Sequence, residues 1–363
     1  MADSRVSTGL TVEQWDDKFF TEYLTENRYA GEMGTSENSI IQVKETLSKK
    51  PGDRVNFALV NKLTQSAITG RDVLEGNEED MSSRSFELAI EKRRNAVRIS
   101  ETDQQFSAID LREAAKFVLK EWSLKDTEVL IEKALSSING EALASASEAN
   151  RDAWLTDNTD RVYFASGYSG TDHSAGWDQL DATNDILTAS DLSAMKLRAL
   201  TRCNPKVRPI RSEKNGRNLY IVYAHPLAFR DLKNDTTITL AQREVNLAME
   251  NERLFKGGDL LWDGMIIKEA HGLYDTSTFA LEGASATDTV VPVYLCGAQA
   301  IGAAYAKRWT SKTKEFDYGD KYGVAIEAFY GIGKMQFGSG SADRDDLKDH
   351  GVVTGYFASS TAS

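Results

Sequence analysis

Cysteine is nearly missing from this chain: Cys203 and Cys296 are the only two among 363 residues, and no Cys-x-x-Cys occurs. No disulfide framework can be built from them, and the chain is compatible with a reducing cytoplasm. A basic surface is also lacking. The formal net charge is −12 and the pI about 5.0, which argues against a face built to neutralise phosphates. The opening residues, MADSRVSTGL, lack the basic and apolar regions of a signal peptide. The longest uncharged stretch, Thr289–Ala306, carries Pro292, Gly297, Gln299 and Gly302 and is short for a membrane span. It reads as a strand followed by a short helix over Ala298–Lys307.

Catalytic signatures are equally sparse. His173, His225, His271 and His350 lie far apart, without a His-x-x-x-His or His-Glu-x-x-His pair. Asp178, Asp181 and Asn184 resemble scattered calcium ligands, but the EF-hand spacing is missing, so a solvated loop is the reading. Gly333-Lys334 fails as a phosphate cradle, because Ala328 stands where a P-loop needs glycine. Gly167, Gly170 and Gly176 give no dinucleotide spacing, and no serine sits in a Gly-x-Ser-x-Gly elbow. Nothing assembles a general acid–base, nucleophilic, cofactor or metal site, and the chain does not read as an enzyme.

What is present is architectural. The apolar fraction, 41%, supports a sizeable core, and the length suggests roughly two domains. Ala108–Asn139 is free of Pro and Gly. Leu111, Ala115, Val118 and Trp122 share a helical face there, and Asp110 with Glu113 fits a capping box. Beyond Trp122 the apolar phase slips to Thr127, Leu130, Ile131, Ala134, Leu135 and Ile138, with Ser123 and Asp126 as a second possible box. Either two consecutive helices or one long helix with a break is expected.

Ahead of that stretch, Pro51-Gly52-Asp53 opens an alternating run, Val55, Phe57, Leu59 and Leu63, and a second run holds Phe86, Leu88 and Ile90. After Lys92-Arg93-Arg94 the parity changes to Val97 and Ile99, predicting a bulge or bend. These are two strands of an extended hairpin, joined by the acidic, Gly-containing tip Thr69–Asp80. A lone hairpin is marginal in water, so its apolar face must cover a distant part of the same chain or another subunit. Thr11–Leu24 is an amphipathic helix candidate with Val12, Trp15, Phe19 and Tyr23 on one face. Asn27–Asn38 reads as linker. Further helices are expected over Glu141–Asn150, Asp191–Arg202 (capped by Ser190 or Asp191) and Leu240–Asn251, with loops over Asp157–Asp185. Leu219–His225, Leu260–Lys268, Val290–Leu295, Val324–Phe337 and Val352–Phe357 read as strands. Mixed elements without a regular βαβ period indicate an α+β fold.

Several pieces, in their order along the chain, resemble the major capsid proteins of tailed bacteriophages, in the branch found in short-tailed and other lytic phages. They are Pro51-Gly52-Asp53, Leu74-Glu75-Gly76, Asp110-Leu111 with Trp122, Tyr220–Leu232, Leu254–Ile267, Leu295–Ala300, Asp317-Tyr318-Gly319 and Asp349-His350-Gly351. The resemblance runs from Trp15 to Phe357. It implies the tailed-phage major capsid fold (Hong Kong phage capsid-like), shared with herpesvirus capsids and encapsulins. Carried onto this chain, 1–49 is the N-terminal arm and 50–99 the extended loop. Residues 100–139 and 314–363 form the peripheral domain with its spine helix, and 140–313 the axial domain.

The function so implied is a structural shell protein that self-assembles, as pentamers and hexamers, around the double-stranded DNA of a tailed phage. Its expected location is the virion capsid, assembled in the host cytoplasm. Portal and separate scaffold or decoration proteins are the expected partners, with DNA enclosed but not specifically bound, no membrane and no cofactor. An encapsulin-type compartment holding cargo protein is the alternative. No long N-terminal coiled coil and no Lys–Asn crosslinking pair stand out. The expected inter-subunit contacts are Trp15, Phe19 and Tyr23 of the arm, Val73, Leu74, Glu75, Glu78 and Glu79 of the tip, and Lys92, Arg93 and Arg94. Lys44, Lys49 and Lys50 are further candidates to meet the tip.

Overall fold

The structure is a computed structural model. It describes residues 29–45, 53–63, 65–70, 73–106, 111–211, 216–238, 259–270, 273, 288–340 and 344–360. The helix patterns at Thr11–Leu24 and Leu240–Asn251 lie outside these, as do Trp15, Phe19, Tyr23, Lys49, Lys50 and Asp110.

Strands β1 (Met33–Gly34) and β2 (Ile41–Lys44) open the described chain. The segment expected to be a linker is anchored instead: Tyr29 and Glu32 are buried, and the Tyr29 hydroxyl donates to Glu132 at 3.0 Å. Strands β3 (Arg54–Val60) and β4 (Ser83–Ala89) pair antiparallel, Phe57 opposite Phe86. At Ile90 the chain leaves this hairpin, and β5 (Glu91–Ser100) joins another sheet. The bulge expected after Lys92-Arg93-Arg94 is absent: β5 pairs with β13 in unbroken register through that cluster, and the bend falls before it, at Ile90.

Helices α1 (Glu101–Phe106) and α2 (Leu111–Ser136) follow. The expected break in α2 does not occur. Ser123 and Thr127 are fully buried on the helix's inner stripe with Ala115, Leu119, Ile131 and Leu135. The phase slip arises because small polar residues occupy that stripe, and each satisfies its hydroxyl locally: Ser123 donates to the Lys120 carbonyl at 2.7 Å and Thr127 to the Ser123 carbonyl at 3.1 Å. Val118, assigned to the inner face from the sequence, is exposed.

The next elements are α3 (Glu148–Asp157), β6 (Val162–Phe164), α4 (His173–Asp178), α5 (Ala189–Leu197), β7 (Ile210–Arg211), β8 (Asn218–Ala224) and α6 (Pro226–Asn234). Three expectations are corrected here. The helix of Glu141–Asn150 begins only at Glu148, capped by Ser147, because Asn139 and Gly140 turn the chain with φ of 49° and 85°. Asp157–Asp185 is not all loop, since it holds β6 and α4. The cap of α5 is Thr188, reciprocated by Asp191 in a capping box.

The remaining strands are β9 (Leu260–Trp262), β10 (Met265–Glu269), β11 (Asp288–Cys296), β12 (Ile301–Phe316), β13 (Lys321–Lys334), β14 (Gln336–Gly338), β15 (Leu347–Asp349) and β16 (Val352–Ser360). Asp263 and Gly264 both have positive φ, 46° and 70°, which makes the two-residue β9–β10 turn of the type that suits strand twist. The helix expected over Ala298–Lys307 is the start of β12. Its alanines favour helix, but β2 and β13 hydrogen-bond it on both sides, so tertiary pairing overrides propensity.

Two sheets carry the fold, which is α+β. One has five strands in the order β1-β2-β12-β13-β5, and the other runs β6-β16-β11-β8-β10-β9 with β7 on β8. In the second sheet, alternate residues of β8 and β11 enter cores on opposite faces: Ile221 and Tyr294 on one, Val222 and Val293 on the other. Burial on both faces explains their unbroken apolar runs. The C-terminal strand departs from expectation. Lys314–Ser363 does not return as a block beside the spine helix, because β16 pairs antiparallel with β11 in the second sheet.

The sheets meet where β11 passes to β12 and β13 passes through β14 and β15 to β16. Lys334 and Asp349, each 2% exposed at the side chain, form an ion pair there at 2.7 Å. Asp349 also accepts from Gln336 Nε2 at 2.7 Å and Trp154 Nε1 at 3.3 Å, and its carbonyl accepts from Arg161. Removing one partner strands a buried charge. Lys334→Met is therefore expected to lower subunit stability by about 3–5 kcal/mol in urea unfolding, and Lys334→Met/Asp349→Leu should recover much of that loss. A loss below about 1 kcal/mol in the single variant, the range of an ordinary substitution, would show the pair is dispensable.

Candidate functional site

The histidines are accounted for structurally where they are described. His173 is buried among Trp154, Phe164, Trp177 and Tyr356, and that apolar cage pushes its pKa down to about 3. His225 caps α6 by accepting from the Leu227 amide, and His350 is packed on Phe337; burial lowers both to about 4. His271 lies outside the described residues. Asp181 accepts from the Thr183 amide at 2.8 Å, and that bond with the Thr183 hydroxyl lowers its pKa. This is a loop turn held by its own carboxylate. Glu148, Asp152 and Asp172 converge, but they accept from the Ser174, His173 and Ala175 amides at the start of α4.

The surfaces that remain are built by the first sheet. Strand period two sorts its side chains. Toward α2 point Val324, Ile326, Ala328 and Tyr330, all buried. Trp309 packs edge-on against Trp122, with ring centroids 5.8 Å apart. Arg93 makes a two-pronged contact with Asp126 of α2, both distances 2.6 Å, and Tyr330 donates to the same carboxylate at 2.8 Å.

The opposite face has two regions. Over one, Gly331, Gly333, Gly302 and Ala304 leave a shallow seat, and the root of the β3–β4 hairpin fills it. Val55, Phe57 and Leu88 form a small core with Ala304, Met335 and Phe337. A Cβ on Gly331 would overlap the Ala89 carbonyl. Lys44 is held here too, 4.2 Å from the Phe57 ring centroid and bonded to the Asn56 carbonyl at 3.0 Å. The hairpin root thus covers its own subunit, which answers the choice left open by the sequence.

The other region is uncovered and basic. In register, Lys92, Arg94 and Arg98 of β5 flank β13 on one side, and Lys307, Lys312 and Lys314 of β12 on the other. Glu327 is the acid these three strands place on that face. It pairs with Lys312, Lys307 and Lys92 at 2.5, 2.9 and 3.2 Å. Hydrogen bonds from Lys312 and Lys307 pull its pKa down to about 2.

Of the expected contact residues, Lys92 and Arg93 thus spend charge inside their own subunit, on Glu327 and Asp126, while Arg94 is exposed. Beyond the hairpin root the tip is open to solvent. Val73 and Leu74 are 66% and 64% exposed, and Val60, Leu63 and Met81 are exposed with them. Glu78 accepts from the Gly76 amide and Glu79 from the Gln65 amide, each at 2.7 Å, so part of the tip's acid shapes the loop itself. Glu75 and Asp80 are exposed. The basic face was missed in the sequence because Lys307, Lys312 and Lys314 lie far from Lys92–Arg94. The alternation Lys312-x-Lys314 was its only signal.

A family model described as phage capsid protein matches residues 4–361. A major capsid protein of Pseudomonas phage KPP25 is 28% identical over 348 residues, covering 90% of this chain and 89% of that protein. Among solved structures, the cyanophage Pam1 capsid asymmetric unit superposes with a TM-score of 0.79 at 29% identity, covering all of both chains. The capsid of Ralstonia phage GP4 gives 0.73 at 21% identity, over 93% of this chain and 92% of that one.

Two outcomes test this geometry. Gly331→Ala is expected to unseat the hairpin at a cost of about 1–3 kcal/mol, read as faster amide exchange confined to β3 and β4; unchanged exchange would mean the seat is not tight. The Glu327 carboxylate is held below its unfolded value, so its contribution is complete above about pH 4.5 and lost as pH falls toward about 2. Glu327→Gln should therefore flatten the subunit's stability profile across that window, and an unaltered acid limb would rule the cluster out as its source.

Proposed function

The chain belongs to the phage capsid protein family, and from that premise we propose that its copies assemble, as pentamers and hexamers, into a closed icosahedral shell around double-stranded DNA. Shell formation in the host cytoplasm, a portal and separate scaffold or decoration proteins form part of this proposal. We assign the arm to 1–49 and the extended loop to 50–99. The peripheral domain holds the spine helix α2 with β5, β12 and β13, and the axial domain holds β6 to β11 with β16.

The observation that carries the reading is the mismatch between the hairpin's two ends. Its root is seated on its own subunit, whereas its tip presents Val73 and Leu74 to solvent amid acids. An apolar pair ringed by charge is the composition of a contact surface. The uncovered basic face is its electrostatic complement, so the tip of one copy lies on that face of the next. Lys44 is a poor partner, because it is engaged at Phe57 and Asn56. Contacts of this kind steer association and fix register more than they add affinity, and they weaken with salt. Each neighbour contact should bury a standard interface of roughly 1,200–2,000 Å². The arm's Trp15, Phe19 and Tyr23 contribute to cohesion of the shell. The encapsulin alternative is set aside, since the family match is to phage capsid proteins.

The test is charge exchange. Glu75→Lys/Asp80→Lys and Arg94→Glu/Arg98→Glu should each reduce closed particles in negative-stain images and sedimentation, while their combination restores them. Replacing 70–80 with an Asn-Gly turn should leave the subunit folded and abolish shells. Normal particles from either charge variant, or from the shortened tip, would refute the proposed contact.

A further inference from the structure

Charge is segregated along the middle of the chain. Residues 162–195 carry the acids Asp172, Asp178, Asp181, Asp185 and Asp191 and no Lys or Arg, whereas residues 196–211 carry Lys196, Arg198, Arg202, Lys206, Arg208 and Arg211 and no acid. Helix α5 runs from the first block into the second. Charges at its two ends complement the helix dipole, but Asp178 and Asp181 on one side and Lys206, Arg208 and Arg211 on the other lie beyond its terminal turns. The basic block folds into a knob. Helix α5 continues into a π-helical turn, Arg198–Arg202, a rare geometry that concentrates at functional sites. The chain then doubles back, the Cys203 amide donating to the Arg198 carbonyl at 3.1 Å and the Val207 amide to the Ala199 carbonyl at 3.3 Å. That returns Lys206 to the level of Leu200. Leu197 and Leu200 are 60% and 41% exposed on this stretch. Three of the cations are engaged: Lys196 pairs with Asp263 at 2.8 Å, Arg208 pairs with Glu37 at 3.6 Å, and Arg198 donates to the Thr159 and Val162 carbonyls. Asp160, which accepts from the Asn204 amide at 2.8 Å, is spent on Lys348 at 3.4 Å. Among the described residues, Arg202 and Lys206 are exposed and make no ion pair, and Asp178 is exposed and makes none either.

We propose that the two blocks are the two sides of one head-to-tail contact between copies: the knob at 197–206 of one subunit, with Leu197, Leu200, Arg202 and Lys206, seats on the acidic loop 178–185 of the next. The contact presupposes the self-assembly proposed above and is separate from that of the hairpin tip. The occupant is a second copy because the chain itself carries the complementary acid. Helix α5 holds acid and cation at its opposite ends, about 13 Å apart along its axis, so the charge left over at each end of one subunit is met by the other end of a neighbour. A contact between two different patches is heterologous, and it closes into a ring when the rotation it imposes closes, which is the polarity a pentamer or hexamer needs. The leucines supply area that leaves water, and the charges fix order and register. A nucleic-acid backbone would satisfy Arg202 and Lys206 through its phosphates, but it would leave the two leucines without a partner.

Charge reversal on the full chain tests it. Arg202→Asp/Lys206→Asp should reduce rings and closed particles, counted by sedimentation and negative-stain imaging, by roughly tenfold or more, because like charges then face one another across the contact. Asp178→Lys/Gln179→Lys should do the same, and the chain carrying all four changes should recover particles. All four positions are exposed, so each variant should keep the subunit's melting temperature, which separates a lost contact from a lost fold. If the wild-type chain forms no oligomers, the assembly reading falls and this contact falls with it. If wild-type particles form and Arg202→Asp/Lys206→Asp forms them equally well, this contact alone is wrong. If that variant assembles normally but no longer retains a 20-base-pair DNA duplex that the wild-type subunit holds at low salt, the knob belongs to DNA and the proposal is overturned.

Discussion

The buried pair Lys334–Asp349 is the constraint on which the two sheets depend. Lys334 ends β13 of the first sheet, and Asp349 ends β15, three residues before β16 enters the second. Two charges taken out of water cost several kcal/mol each, so such a pair persists only where geometry and added hydrogen bonds offset that cost. Here Gln336, Trp154 and Arg161 supply them, from β14, α3 and the turn before β6. The pair therefore fixes where β13 stops, and through it the relative placement of α3, β6 and β16. The chain crosses between the sheets a second time at Gly297–Ala300, where the Gly297 amide donates to Gly351 and the Met335 amide to Ala300. Both crossings run through one small polar region, which gives a shell subunit a stiff joint between its parts.

The first sheet then divides its labour by face. Its inner face is an ordinary core against α2. Its outer face is half seat and half open charge. The seat exists because Gly331, Gly333 and Gly302 lack side chains, and strand interiors otherwise disfavour glycine. Three glycines in two adjacent strands are a loss of intrinsic strand stability, offset by burying Val55, Phe57 and Leu88 of the hairpin. The hairpin is thus fixed at its root and free at its tip.

Much of this was legible in the sequence, for definite reasons. Alternation located β3 and β4, whereas the parity change placed the bend after Lys92-Arg93-Arg94 and the chain in fact departs ahead of that cluster, at Ile90. The apolar runs of β8 and β11 located two strands, and the structure adds that both their faces are buried. What failed did so where local preference and tertiary pairing disagree. Ala298–Lys307 is rich in helix formers but is held between β2 and β13. Ser123 and Thr127 disguised one continuous helix as two, because they are buried small polar residues that bond to their own backbone. Val118, at the right spacing for the core, faces outward. The site was less legible than the fold. Lys92 and Arg93 looked alike in sequence, yet adjacent strand positions face opposite ways, so one meets Glu327 and the other Asp126.

That same period of two explains how an acidic chain comes to carry a basic face. Alternate positions on β5 and on β12 after its bulge are Lys92, Arg94, Arg98, Lys312 and Lys314, while Arg93, Val97 and Ser311 on the same strands face inward. Neighbouring cations on one strand are then about 7 Å apart, and those across two strands about 10 Å. At such spacings like charges repel even through solvent, and Debye screening near 8 Å removes only part of it. Glu327 relieves the repulsion locally, drawing on Lys92, Lys307 and Lys312, which leaves Arg94, Arg98 and Lys314 at the margins. A face in this condition gains more from an acidic partner than from water, and the gain is largest when the partner brings apolar groups that exclude water from the contact. The hairpin tip, with its acids ranged around Val73 and Leu74, has that composition, and this match of surplus positive charge with surplus negative charge is what the proposed contact between copies rests on.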